Sequence, residues 1–337
     1  MKFTTDKKRT IMLYLLEKIE QGESNLSATV ADAFGISRNT VHSYMKELAD
    51  EGIIQKEKRD CYRLVTKRLE YTLKRSNGEL SSDTYAYDYC LAAVIAHLPE
   101  SIRRIWSYSF SEMTNNVMDH SSAEHLHVVI EQNYLKTSVA LMDDGVGIFK
   151  KIKQHFSLSD LDEAICELFK GKLTTDPNNH SGEGIFFTSK MMDSFFILSD
   201  GKIFATTKYE NSTVTNLEKP LNGTCVLMSL SNFTHKQAHE IFDLYASDEG
   251  GFNKTRIPLK NVFDTAPVSR SQAKRICHRL DQFSEVILDF DGLSWMGQGF
   301  AHQLFVVYVR ANPGVSLTPV NMCESVESMY RHVTNTL

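Results

Sequence analysis

A chain of 337 residues, 42% hydrophobic and 23% charged, has the composition of a globular protein and room for two or three domains. No apolar stretch approaches the roughly 18 residues of a membrane span, and the N-terminus MKFTTDKKRT lacks the apolar core of a signal peptide, so a cytoplasmic protein is expected. The six scattered cysteines form no C-x-x-C pair, which argues against zinc or a disulfide framework. The net charge of −5 is uneven: residues 1–75 hold 15 Lys and Arg against 11 Asp and Glu, the remainder 22 against 31. A basic head on an acidic body points to a nucleic-acid contact at one end.

The first element is KKRTIMLYLLEKIEQ, which places Ile11, Met12, Leu15, Leu16 and Ile19 on one helical face. NLSATVADAFGISRNTVHSYMKELADEGII then reads as helix, glycine turn, helix. Val30, Ala31 and Phe34 pack from the first of these, and Val41, Tyr44, Met45 and Leu48 from the second. Gly35 suits the turn and Ser37 the N-cap. Arg38, Asn39, His42, Ser43 and Lys46 remain exposed, hydrogen-bonding types suited to base edges and phosphates. GIIQKEKRDCYRLV follows as two short strands around a Lys-Arg-Asp turn. Residues 1–66 thus resemble a winged helix-turn-helix. The resemblance implies binding to duplex DNA through Arg38, Asn39, His42 and Lys46. The same core also builds small modules that bind protein instead. Residues 67–79 are expected as a linker.

In the next stretch, 80–232, RRIWSYSFSEMTNNVMDH forms a helix with Trp106, Phe110, Met113 and Val117 toward a core. Beside them runs a polar stripe of Ser109, Glu112, Asn116 and His120, which alone could be the edge of a solvated face. Strands follow at 126–131 and 137–142, and then ALMDDGVGIF. Its Asp-Gly is a strong signal for a surface hairpin; the other reading is a pocket where backbone approaches a ligand closely. After a polar, helix-like segment comes HSGEGIFFTSKMMDSF, whose glycine pair opens a helix, and last LNGTCVLMSL, a Gly-Thr entering a strand.

These four motifs, in this order, resemble the ATPase fold shared by gyrase, the heat-shock chaperone, histidine kinases and mismatch-repair proteins. The resemblance implies a two-layer α/β sandwich that binds ATP with Mg²⁺. Asp143 then accepts from the adenine amino group, Gly145 and Gly147 let the chain pass close to base and sugar, and Asp144 faces solvent. Asn116 ligands Mg²⁺, an ion suited to oxygen donors, and Glu112 is the general base. Gly182 and Gly184 free backbone amides for phosphate oxygens, Thr224 contacts phosphate, and residues 149–181 form a lid. His120 reads as a helix-end residue. The chain departs from sensor kinases in having only residues 67–100 where a dimerising hairpin would stand, with His97 lacking the expected surroundings. The layout is nearest that of the short anti-sigma-factor serine kinases.

From residue 233 onward, amphipathic NFTHKQAHEIFDLY leads into alternating elements: SQAKRICHRLDQF helix, EVILDFDGL strand, GQGFAHQLFVVYVR helix, VSLTPVNM strand, CESVESMYRHV helix. Such alternation argues for a small α/β sheet. SEVILDFDGLSWMGQGFAHQLF resembles the STAS fold of anti-anti-sigma factors. Those carry an Asp-Ser-Ser-Gly turn with a phosphoacceptor serine, where this chain has Met296-Gly297-Gln298-Gly299. Ser294 falls too early, at the expected strand end, which leaves docking or regulation as the domain's role.

The expectation is therefore an α/β multidomain protein: winged helix, histidine-kinase-like ATPase sandwich, STAS-like domain over 233–337. Its function would be that of a transcriptional regulator in which nucleotide state controls DNA binding. The alternative is a protein serine kinase acting on a partner. The partners implied are duplex DNA, a regulatory protein and a second copy of the chain.

Overall fold

The computed structural model describes residues 5–58, 61–173, 182–206, 222–246, 251–263 and 266–335. Two compact units divide the chain: residues 1–71 with 129–139 and 229–235 form one, and the remainder forms the other. Among the described residues no helix is long and apolar enough to cross a membrane. All six cysteines are free.

In the first unit, α1 (Thr5–Glu20), α2 (Leu26–Phe34) and α3 (Arg38–Asp50) precede a wing of β1 (Ile54–Lys58) and β2 (Cys61–Leu64). The apolar spacing of α1 buries Ile11, Leu15, Leu16 and Ile19 against Val30, Val41, Met45 and Leu48. Each such side chain contributes roughly 1.5–3 kcal/mol by leaving water. Gly35 ends α2 in the left-handed region at φ 62°, and the Ser37 hydroxyl accepts from the Thr40 amide at 3.1 Å to open α3. The wing strands pair antiparallel, Ile54 opposite Leu64; the tip, Arg59 and Asp60, lies outside the described residues. One feature of this core was not legible locally. Leu135 is buried in it and Phe233 packs on it, both from distant parts of the chain. Arg9 lies over the Phe233 ring, and Lys136 pairs with Glu20 at 3.1 Å.

A six-stranded sheet runs in the order β3 (Lys67–Lys74), β4 (His125–Gln132), β5 (Lys136–Asp143), β8 (Thr224–Ser231), β6 (Ser194–Ser199), β7 (Lys202–Ala205). Residues 67–79, expected as a linker, thus begin with the edge strand β3; a sheet edge offers hydrogen bonds that sequence periodicity does not reveal. The accompanying helices are α4 (Asp83–Tyr87), α5 (Ala93–Ile95), α6 (Glu100–Asn116), α7 (Ile148–His155), α8 (Leu161–Lys170), α9 (Gly184–Met191) and α10 (Ala238–Tyr245). Trp106, Phe110 and Met113 of α6 are buried, as their spacing requires. Strand β5 alternates strictly, with Thr137, Val139, Leu141 and Asp143 buried. Its period of two therefore delivers Asp143 to the covered face. The Asp-Gly hairpin turn lies elsewhere, at Asp200 and Gly201 between β6 and β7, with φ of 55° and 74°.

The C-terminal domain is a three-stranded parallel sheet in the order β11 (Ser316–Val320), β10 (Glu285–Asp289), β9 (Lys254–Pro258). The helices α11 (Leu259–Val262), α12 (Arg270–Cys277), α13 (Gln298–His302), α14 (Val309–Ala311) and α15 (Glu324–Thr334) complete it. The alternating elements expected from residue 270 are all present, whereas β9 was missed. Its short KTRIP holds only two buried positions, too few to show a period. Pro258 and Pro319 both sit on edge strands, where a missing N–H is tolerated.

Candidate functional site

A cavity of about 250 Å³ opens between α6, α7, α9 and the ends of β5 and β8. Glu112, Asn116, Asp143, Gly182, Gly184 and Thr224, singled out from four separate motifs, all line it. Gly145 and Gly147 flank the lining residues Val146 and Ile148. Residues more than 100 positions apart in the chain converge here.

On α6, Glu112 and Asn116 stand one turn apart on the cavity side. After Asn116 the helix widens into a π turn, Val117–Ser121, and stops at Ser122 with φ 56°. Such turns re-aim side chains and are frequent at functional sites. Here the turn brings His120 and Ser121 to the cavity wall. Ser109, first in the stripe, is instead wholly buried.

The two adjacent aspartates part company. Asp143 is buried, and its carboxylate accepts from the Gly145 amide at 2.9 Å and from the Thr224 amide. Burial outweighs those amides and pushes its pKa up to about 6. Asp144 is exposed, as expected. At the surface its Oδ1 accepts from the Glu124 and His125 amides at 2.9 Å each, and its Oδ2 meets His125 Nδ1 at 2.8 Å. Those contacts, the His125 amide first, hold its carboxyl below the usual range. Asp144 pins the start of β4.

The glycines of these motifs sit against other parts of the chain. A Cβ on Gly145 would strike the Ser121 carbonyl, and one on Gly147 the Asp200 carboxylate. Among protein atoms, the close approach they permit is to the chain's own Ser121 and Asp200. Gly182 has φ 72° and lies against the Leu173 backbone, while Gly184 leaves room for the Glu112 carboxylate. Gly223, at φ 86°, does the same for the Asp143 carbonyl. Thr224 Oγ1 accepts from the Ile148 amide at 3.2 Å and so helps to open α7.

Lys151 was missed. Its Nζ donates to the His120 carbonyl at 2.6 Å at the cavity wall, and burial lowers its pKa. The signal was present: Ile148, Lys151 and Ile152 share one helical face. The segment 149–181 contains α7 and α8, and residues 174–181 lie outside the described residues. Its second helix does not have the polar exposure expected of a lid, because Cys166, Glu167, Leu168, Phe169 and Lys170 are all buried.

A second candidate surface lies on α3. Arg38, Asn39, His42, Ser43 and Lys46 are all exposed, on the side opposite buried Val41, Met45 and Leu48. The wing adds exposed Lys56, Lys58 and Arg63. In the C-terminal domain β10 ends at Asp289, so Ser294 lies in the following loop and not at the strand end.

Residues 27–55 match the family of winged helix-turn-helix DNA-binding domains. Residues 272–327 match a family described as a STAS-like domain of unknown function (DUF4325). Neither match reaches the central sheet-and-helix domain. No curated protein matches the chain.

Proposed function

We propose that this protein is a transcriptional regulator that binds DNA through α3 and takes adenine nucleotide with Mg²⁺ into the cavity of a histidine-kinase-like central domain. The observation that carries the nucleotide reading is Asp143, a buried carboxylate raised to about 6 at the wall of a cavity. The Gly145 and Thr224 amides do not fully offset the cost of burying its charge, and the adenine amino group would be a further donor to it. Lys151 and the first amides of α9 carry the positive potential that phosphate oxygens need. Asn116 presents a neutral oxygen of the type Mg²⁺ accepts, and would hold the ion, which when bound neutralises phosphate charge. Glu112, one turn earlier, is held beside Gly184, where its carboxylate can take a proton from water or a hydroxyl. The residues present therefore fit the group.

The DNA half rests on the exposed polar face of α3 and the match over residues 27–55. Titration calorimetry with ATP·Mg²⁺ tests the nucleotide half. Asp143→Asn replaces a two-acceptor carboxylate by an amide and should weaken binding by roughly 1–3 kcal/mol. Equal affinity in both proteins overturns the assignment. The same Glu112 carboxylate also supports a second reading, a protein serine kinase. γ-Labelled ATP with cell extract separates the two: label released as phosphate means hydrolysis, label on a protein means transfer.

A further inference from the structure

Two charged residues of α8, Glu167 and Lys170, are each 1% exposed. A buried ion pair is tolerated only where its remaining protons and lone pairs find partners. Here they do. Lys170 Nζ donates to Glu167 Oε1 at 2.6 Å and to the carbonyls of Arg275 and His278 at 2.8 and 2.6 Å. Glu167 Oε1 also meets His278 Nδ1 at 2.9 Å, and its Oε2 accepts from Arg279 at 3.0 Å. Every partner outside the pair comes from the end of α12, in the STAS-like domain.

Arg279 does more. Held at φ 58°, it donates to the Lys172 carbonyl at 2.6 Å and lies 4.6 Å from the Phe156 ring that follows α7. One side chain thus grips the end of α7, the middle of α8 and the chain beyond α8. At the other end of α8, Arg275 pairs at 2.6 Å with Asp160, the N-cap. The same two helices wall the cavity through Lys151 and Ile152 on α7 and Leu168 on α8, followed by Leu173.

We infer that the STAS-like domain is a built-in regulator of the cavity: its Arg279 and α12 carbonyls lock α7 and α8 into a preformed wall, so the engaged joint and the occupied cavity favour each other. The inference rests on the nucleotide reading of that cavity. A wall ordered in advance spares the ligand the entropy of ordering it. By reciprocity, a ligand that needs the wall tightens the joint by the same factor.

Hydrogen exchange on the full chain, with and without ATP·Mg²⁺, tests this. ATP should slow exchange at the cavity, residues 143–148 and 182–186, and also at the joint, residues 270–283, by at least about fivefold there. Arg279→Ala should weaken ATP binding by about 5–150-fold and remove the response at 270–283. Arg275→Ala, at the rim, should do both to a smaller degree and guards against loss of the fold in the first variant. Protection at the cavity with no change at 270–283 overturns the joint and leaves the nucleotide reading standing. No protection at either place overturns both.

Discussion

Asp143 and Asp144 show how one bond along a strand separates two chemistries. Asp143, the last residue of β5, takes the strand's buried face at the cavity, while Asp144, just past the strand, caps backbone amides at the start of β4. For Asp143 the folded pKa of about 6 lies above its ordinary 3.8. The folded chain therefore binds this proton more tightly than the unfolded one. Stability without nucleotide should fall as pH rises from about 4 to about 6, then level off. Asp143→Asn carries no charge to bury, so it should flatten that slope and raise stability at pH 7 by roughly 1–2 kcal/mol while ATP affinity drops. Thermal unfolding from pH 4 to 8 checks the sign; a less stable variant would mean the carboxylate is structural. Gly145→Ala sets Cβ against the Ser121 carbonyl and should cost roughly 1–3 kcal/mol. At Gly299 the nearest atom is 3.4 Å away, so the same change there should cost far less. Denaturant midpoints for both variants measure the difference.

At the scale of elements, α3 carries the DNA prediction. Arg38 stands at its first turn, exposed, after a Ser37 cap that fixes where the helix begins. Arg38→Ala should weaken binding to a selected duplex and lower the slope of log affinity against log salt by about one. Binding indifferent to salt would favour a protein partner for this face. The measurement needs the full chain, because Leu135 and Phe233 belong to the winged-helix core and a fragment ending near residue 75 would lack them. For the same reason Leu135→Ala, far away in sequence, should cost about 2–5 kcal/mol and weaken DNA binding with it.

At the scale of the whole molecule, the proposed function couples nucleotide in the cavity to DNA binding by α3. A nucleotide shifts an equilibrium only through differential affinity for its states. ATP- and ADP-bound forms should therefore differ in DNA affinity by about 5–150-fold, the usual range of such coupling. Glu112→Gln should bind ATP but turn it over at least about 100-fold more slowly. Anisotropy of labelled duplex should then drift with time in the wild type and hold steady in the variant. Identical DNA affinity with ATP, ADP and no nucleotide would reject the switch.

Much of this protein follows from local pattern. The spacing of Ile11, Leu15 and Leu16, the Gly35 turn and Ser37 cap, the helical face of Trp106, Phe110 and Met113, and the alternation that buries Asp143 are each set within a few residues, because backbone period decides which side chains share a face. The cavity residues were legible for a different reason: four motifs in order resemble a known ATPase fold, whereas period alone puts Glu112 and Asn116 on one helical face and is silent on Gly182 and Thr224. Period does not say what a face will meet. That Gly145 faces the Ser121 carbonyl, that β3 joins the sheet, and that Leu135 completes a core begun by Ile11 were decided only in three dimensions. So was the burial of Glu167 and Lys170, charges that sequence alone assigns to water. Their partners lie more than 100 residues further along the chain, and only long-range packing supplies the hydrogen bonds that let them leave solvent.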